Sequence, residues 1–113
     1  MMIYRLTTAA EWAAAQTSGE FRSADLAAEG FIHCSERAQI LRTANKYFAD
    51  HTELTLLKID EAMLGRTLVR EDLTGSGTFP HVYAAIPSAA VVAAYEMHKE
   101  ARAEWTLPLA LGE

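Results

Sequence analysis

The first apolar run, MIYRLT at residues 2–7, is rich in β-branched and aromatic types and predicts a strand. Thr8-Ala9-Ala10-Glu11 then has capping-box spacing, with Thr8 as N-cap and Glu11 reaching back. The short helix that follows should run through Gln16 and stop near Gly19, with Trp12 as its core anchor. Residues 21–26 read as a bend and a single turn. Residues 30–35, GFIHCS, read as a strand opened by glycine. Ala38, Leu41, Ala44, Tyr47 and Phe48 fall close to helical spacing, so an amphipathic helix is expected over about 36–49, capped by Ser35. Strands follow at 53–59 and 64–71, then a flexible loop at 72–78 containing Gly75 and Gly77. Residues 79–86 predict a strand with Pro80 near its start, where proline is tolerated. Pro87-Ser88 turns the chain into a last strand at 90–97. The pattern totals about six strands and two main helices in one domain, residues 1–113. The strands cluster late, which indicates an α+β fold rather than alternating βαβ units.

Composition narrows the function. The net charge is −5, and the ten Lys and Arg residues form no basic run. Binding long nucleic acid needs a clustered cationic face, so a small-molecule or nucleotide ligand suits the chain better. Cys34 is the single cysteine, so no disulfide can form within the chain. That fits a reducing, cytoplasmic setting. The N-terminus lacks a signal-peptide pattern. The longest nearly apolar run, Ala84 to Tyr95, falls far short of the ~20 residues that span a bilayer. No membrane association is expected.

Candidate chemistry lies on two strands. Alternation puts Phe31, His33 and Ser35 on one face and Ile32 and Cys34 on the other. A histidine and a serine before a helix N-terminus make a polar site that favours phosphate. His81 and Tyr83 repeat the pattern, adding a second imidazole and a phenol that can exchange protons. Glu71 ends a strand beside the glycine loop, where a general base or a ribose-hydroxyl binder could stand. Tyr4 and Arg5 occupy opposite faces of the first strand, so one of them should face the pocket. The alternative is a structural role, with Ser35 as a helix cap and the histidines as packing residues. Cys34 points away from His33, which argues against a Cys–His nucleophile. His33, His81 and His98 lack metal-ligand spacing, so no metal is assigned. There is no Walker loop and no Gly-x-Gly-x-x-Gly.

Several segments together resemble a known family. They are Ile3-Tyr4-Arg5-Leu6, Trp12, Glu29-Gly30-Phe31-Ile32-His33-Cys34-Ser35 with Gln39, Leu56-Leu57-Lys58-Ile59-Asp60, Glu71, and Phe79-Pro80-His81-Val82-Tyr83. The family is the uncharacterised bacterial domain-of-unknown-function family nine-five-two, and the likeness runs from about residue 2 to 97. EGFIHCS and FPHVY are specific as a pair. That family is grouped with the ADP-ribosyltransferase-like fold, which implies a small split β-sheet. Its closest echo is with RNA 2′-phosphotransferases, whose His-Leu-Ser strand end looks like His33-Cys34-Ser35. Their opening Leu-Tyr-His looks like Ile3-Tyr4-Arg5. Family members often carry histidine where this chain has Arg5; both side chains can hydrogen-bond a ribose or phosphate.

The resemblance implies catalytic roles for His33, Glu71 and His81, and ligand contacts from Tyr4, Arg5, Ser35 and Tyr83. Arg5 and His33 would grip ribose or phosphate, Tyr83 would stack on the ring, and Glu71 would orient the ribose 2′-hydroxyl. NAD is implied as a substrate rather than a resident cofactor. The expected function is an ADP-ribosyltransferase-like enzyme, or degenerate enzyme, acting on NAD or a phosphorylated nucleotide. The alternatives are a non-catalytic nucleotide-binding domain and a protein-interaction domain.

Overall fold

A computed structural model describes residues 1–112. Eight strands and three α-helices alternate in short pieces: β1 Met2–Thr7, α1 Ala9–Ser18, β2 Glu20–Phe21, α2 Ala24–Glu29, β3 Ile32–His33, α3 Ile40–Tyr47, β4 Glu53–Asp60, β5 Leu68–Glu71, β6 Phe79–Val82, β7 Ile86–Pro87 and β8 Val91–His98. The strands form three antiparallel sheets, ordered β1-β4-β8, β3-β6-β5 and β2-β7. The fold is α+β.

β4 is central in its sheet and is buried on both faces, which its apolar run ELTLLKID foretells. On β1 and β4, Ile3, Leu57 and Ile59 enter one core with Phe21, Ile32, Val82 and Ile86. Tyr4, Leu6, Leu54 and Leu56 enter a second core with Ile40, Ala44, Met97 and Trp105. The tail after β8 seals that second core. Trp105 is fully buried, and its indole N–H donates to the Phe48 carbonyl at 2.9 Å.

The two larger sheets meet at one place. Tyr4 and Ser35 exchange backbone hydrogen bonds of 2.9 and 2.7 Å, joining the edge of β1 to the chain just past β3. The pocket opens beside this junction. Among the described residues, no helix is long and apolar enough to cross a membrane.

Several local expectations change. Gly30 does not open a strand; its φ of 88° closes α2 in the left-handed conformation. The segment read as a bend and one turn is therefore β2 followed by a six-residue helix. The strand expected over 79–86 is two strands, because residues 86–87 leave β6 to pair with β2 behind the buried Phe21. The helix expected over 36–49 starts as a 3₁₀ turn at 37–39 and becomes α-helical only at Ile40. Its cap is Glu36 rather than Ser35, in a box that Gln39 completes by accepting the Glu36 N–H at 2.9 Å. Thr8 does cap α1, but the Glu11 carboxylate accepts the Thr7 hydroxyl at 2.5 Å instead of reaching back.

Candidate functional site

β3 and β6 put His33 directly opposite His81. Opposed residues in a ladder share a face, so the two imidazoles meet edge to face with centroids 5.3 Å apart. Alternation adds Phe31 to the same face, where its ring lies 4.7 Å from His33, 4.4 Å from His81 and 5.1 Å from Tyr83. An aromatic plate thus backs both histidines.

Each imidazole is held at Nδ1 by a carboxylate. His33 Nδ1 lies 2.8 Å from Asp25 Oδ2, and His81 Nδ1 lies 2.8 Å from Glu71 Oε2. Such a bond fixes ring orientation and leaves Nε2 as the working nitrogen. His81 Nε2 has no hydrogen-bond partner among the described residues, and His33 Nε2 has only Glu29 Oε1 at 3.7 Å.

Asp25 is the hub of the first half. It stands in the first turn of α2, and its Oδ2 accepts from the His33 backbone N–H at 2.8 Å and from Arg5 Nη1 at 2.7 Å. Ser23 donates its hydroxyl to Oδ1. Burial is the largest influence on this carboxyl and pushes its pKa up. The His33 hydrogen bonds, the Arg5 charge and the Ser23 hydroxyl together outweigh it, leaving the pKa well below the usual carboxylate range. Arg5 also donates to the His33 carbonyl at 2.9 Å, while its buried Nε has no partner.

The second half is built on Glu71, at the end of β5. Hydrogen bonds from the Tyr83 hydroxyl and then from His81 lower its pKa, and the same carboxylate raises that of Tyr83. Both bonds fall on Oε2, so Oε1 is left open.

The two halves floor a pocket of about 600 Å³, within the size range of ligand sites. Its other walls are α2, α3 and the 72–78 loop. Leu73, Thr74, Ser76 and Gly77 of that loop line the pocket. The loop is tied to the rest of the site. Arg42 Nη2 donates to the Ser76 carbonyl at 2.6 Å, and Gln39 Nε2 donates to the Thr78 carbonyl at 2.8 Å.

Of the residues singled out in the sequence, Arg5, His33, Ser35, Glu71 and His81 line this pocket. Ser35 is buried, with its hydroxyl 3.4 Å from that of Thr43. Tyr4 is not at the pocket; it points into the second core, because it alternates with Arg5 on β1. Tyr83 stands outside the pocket lining, behind Glu71, and is 43% exposed. The helix N-terminus after Ser35, where a phosphate was expected, carries a charge of its own. The Glu36 carboxylate caps that turn and pairs with Arg70 at 2.6 Å. Cys34 is buried in the first core, as alternation requires, and also borders the pocket; burial pushes its thiol pKa up to about 12. Asp25, Arg42, Thr43 and Lys46 were not singled out from the sequence. Asp25 leaves one trace, an acidic residue in the first turn of a helix whose N-cap position is Ser23.

The comparisons agree with this fold. The family described as "Protein of unknown function (DUF952)" matches residues 6–94. The crystal structure of protein CC0527 from Caulobacter crescentus is 33% identical, covers 100% of both chains and superposes with a TM-score of 0.89. The solution NMR structure of CC0527 is 36% identical over 88% of this chain and 87% of that one, with a TM-score of 0.77. No curated protein matches the sequence. The family match spans most of the chain and the Caulobacter protein matches it end to end, so the chain belongs to the DUF952 family.

Proposed function

We propose that this chain is a small enzyme of the ADP-ribosyltransferase-like class, acting on NAD or a phosphorylated nucleotide in the pocket above His33 and His81. The observation that carries this reading is the pair of cross-strand imidazoles, each backed at Nδ1 by a carboxylate and both lining one pocket. A histidine so held can take a proton at Nε2 and return it. The junction of the two three-stranded sheets at Tyr4 and Ser35 is read as the split of an ADP-ribosyltransferase-like sheet.

In the proposed reaction the bond between ribose C1′ and the nicotinamide nitrogen breaks, and nicotinamide leaves as a neutral base with the electron pair. An acceptor oxygen bonds to C1′, and its proton passes to Nε2 of His33. Asp25 stabilises the imidazolium that results. The sugar carries positive charge as the bond breaks. Glu71, kept ionised by Tyr83 and His81, offsets that charge and offers Oε1 to the ribose 2′-hydroxyl. Arg5 supports the site by holding Asp25 and the His33 carbonyl in place.

Nicotinamide release from NAD tests the reading. The wild-type protein should release nicotinamide, and His33→Ala should slow release at least about a hundredfold, as loss of a general base does. NAD that binds without any release would leave a non-catalytic nucleotide-binding domain as the better account.

A further inference from the structure

Charge is segregated around the pocket. The carboxylate of Asp25 stands behind His33 and is taken up by it, and that of Glu71 is bonded to His81 and Tyr83 through Oε2 alone. Glu11, further along the wall, is held by the Thr7 hydroxyl, and Glu29 of α2 also lines the pocket, with Oε1 3.7 Å from His33 Nε2 on the histidine side. The opposite wall is α3, where Arg42 and Lys46 lie four residues apart on one helix face and both line the pocket.

Neither cation has a carboxylate partner among the described residues. The ion pairs involve only Arg5, Arg22, His33, Arg70 and His81 as cations. Other Lys and Arg residues of this chain also lack a carboxylate partner among the described residues, and what sets these two apart is that they stand together on one wall of the pocket. Arg42 is also oriented. Its guanidinium lies over the Phe79 ring at 5.2 Å, and its Nη2 bonds the Ser76 carbonyl, so its remaining N–H groups are presented from a fixed plane. A planar donor fork of this kind suits phosphate oxygens. Lys46 adds a point charge one turn along, beside the Tyr47 ring at 5.1 Å.

From this we infer that Arg42 and Lys46 form an anion subsite that holds the phosphate or diphosphate of the ligand against α3. The ligand's uncharged sugar end then lies over the His33–His81 floor. This inference rests on the proposed function for the sugar end, but the α3 subsite stands on its own charges. It also gives the 72–78 loop a role: a phosphate on Arg42 completes the donor set of a residue already bonded to Ser76, so ligand binding should steady the loop.

Titration with ADP and with adenosine, followed by backbone and imidazole NMR, tests it. ADP should bind the wild-type protein more tightly than adenosine does. Arg42→Gln and Lys46→Gln should each weaken ADP binding about tenfold, in line with one charged hydrogen bond lost, and leave adenosine unchanged. Lys46 is exposed, so Lys46→Gln should not alter the melting temperature, whereas Arg42→Gln also loses the Ser76 bond. Lys46→Gln makes no contact with the loop and serves as the cleaner variant. Unchanged ADP affinity in both variants overturns the subsite, as does failure of the wild-type protein to bind ADP at millimolar concentration. If ADP depends on Arg42 and Lys46 but leaves the His33 and His81 resonances unmoved, the subsite holds and the proposed function fails. If ADP shifts those resonances and binds both variants as it binds the wild type, the subsite fails and the proposed function survives.

Discussion

The two histidines at the pocket floor are held in opposite ways. At His33 the ring is 47% exposed and its carboxylate, Asp25, only 13% exposed. At His81 the ring is 7% exposed and its carboxylate, Glu71, is 22% exposed. The first half therefore shows the pocket an imidazole with a buried charge behind it. The second shows it a carboxylate with a buried imidazole beside it. Under the proposed function the difference divides the roles: His33 would exchange protons with a bound molecule, and Glu71 would contact the molecule itself. It also separates structure from chemistry. Asp25 ties together α2, β1 and β3 through His33, Arg5 and Ser23, whereas Glu71 ties only neighbouring strands.

Breaking the first half should therefore cost the most. Asp25→Asn removes the charge facing the largely buried Arg5 and should destabilise the protein by about 3 kcal/mol, the usual scale for a buried pair losing one partner. Urea unfolding at pH 7 measures it. The loss should depend on pH. The folded pKa of Asp25 lies below its unfolded value of about 4, so its contribution is fully present above that pH. It is lost as the pH falls toward the lowered folded value. The wild-type and Asp25→Asn stabilities should converge on acidification below pH 4, and a constant gap down to pH 2 would contradict the assignment.

The second half should respond mainly in its titration. Tyr83→Phe removes the first cause of the lowered Glu71 pKa and leaves the His81 bond. The Glu71 carboxyl, followed by carbon NMR, should titrate at higher pH in the variant, with little change in the melting temperature. An unmoved titration would mean that the Tyr83 bond does not form in solution.

These contrasts also show what the sequence could reveal. β1, β4 and β8 were legible because long apolar runs have one use in a domain this size. Glu71 was legible because a carboxylate at a strand end beside two glycines has little to pack against. His33 and His81 were legible as a pair because each strand repeats histidine with an i+2 polar partner. Gly30 misled because glycine both breaks into strands and closes helices, and only the packing of α2 decides between them. The division of 79–86 depends on β2, a two-residue strand too short to carry a pattern. Asp25 was invisible because its role comes from α2 folding over a strand eight residues later. Arg42 and Lys46 lie between the apolar positions of an amphipathic helix, where the pattern alone does not set them apart, and only the fold brings them to the pocket.

The central claim is that His33 and the Glu71–His81 pair belong to one ligand-binding site, with His33 and Glu71 facing the ligand and His81 held behind Glu71. Titration of the isotope-labelled protein with NAD, observing the imidazole resonances of all four histidines, tests it most directly. The account predicts that His33 and His81 shift together and saturably, that His51 and His98 do not move, and that Lys46→Gln weakens the response without changing which rings respond. NAD binding that leaves both His33 and His81 unmoved, or that moves His51 or His98 instead, would contradict it.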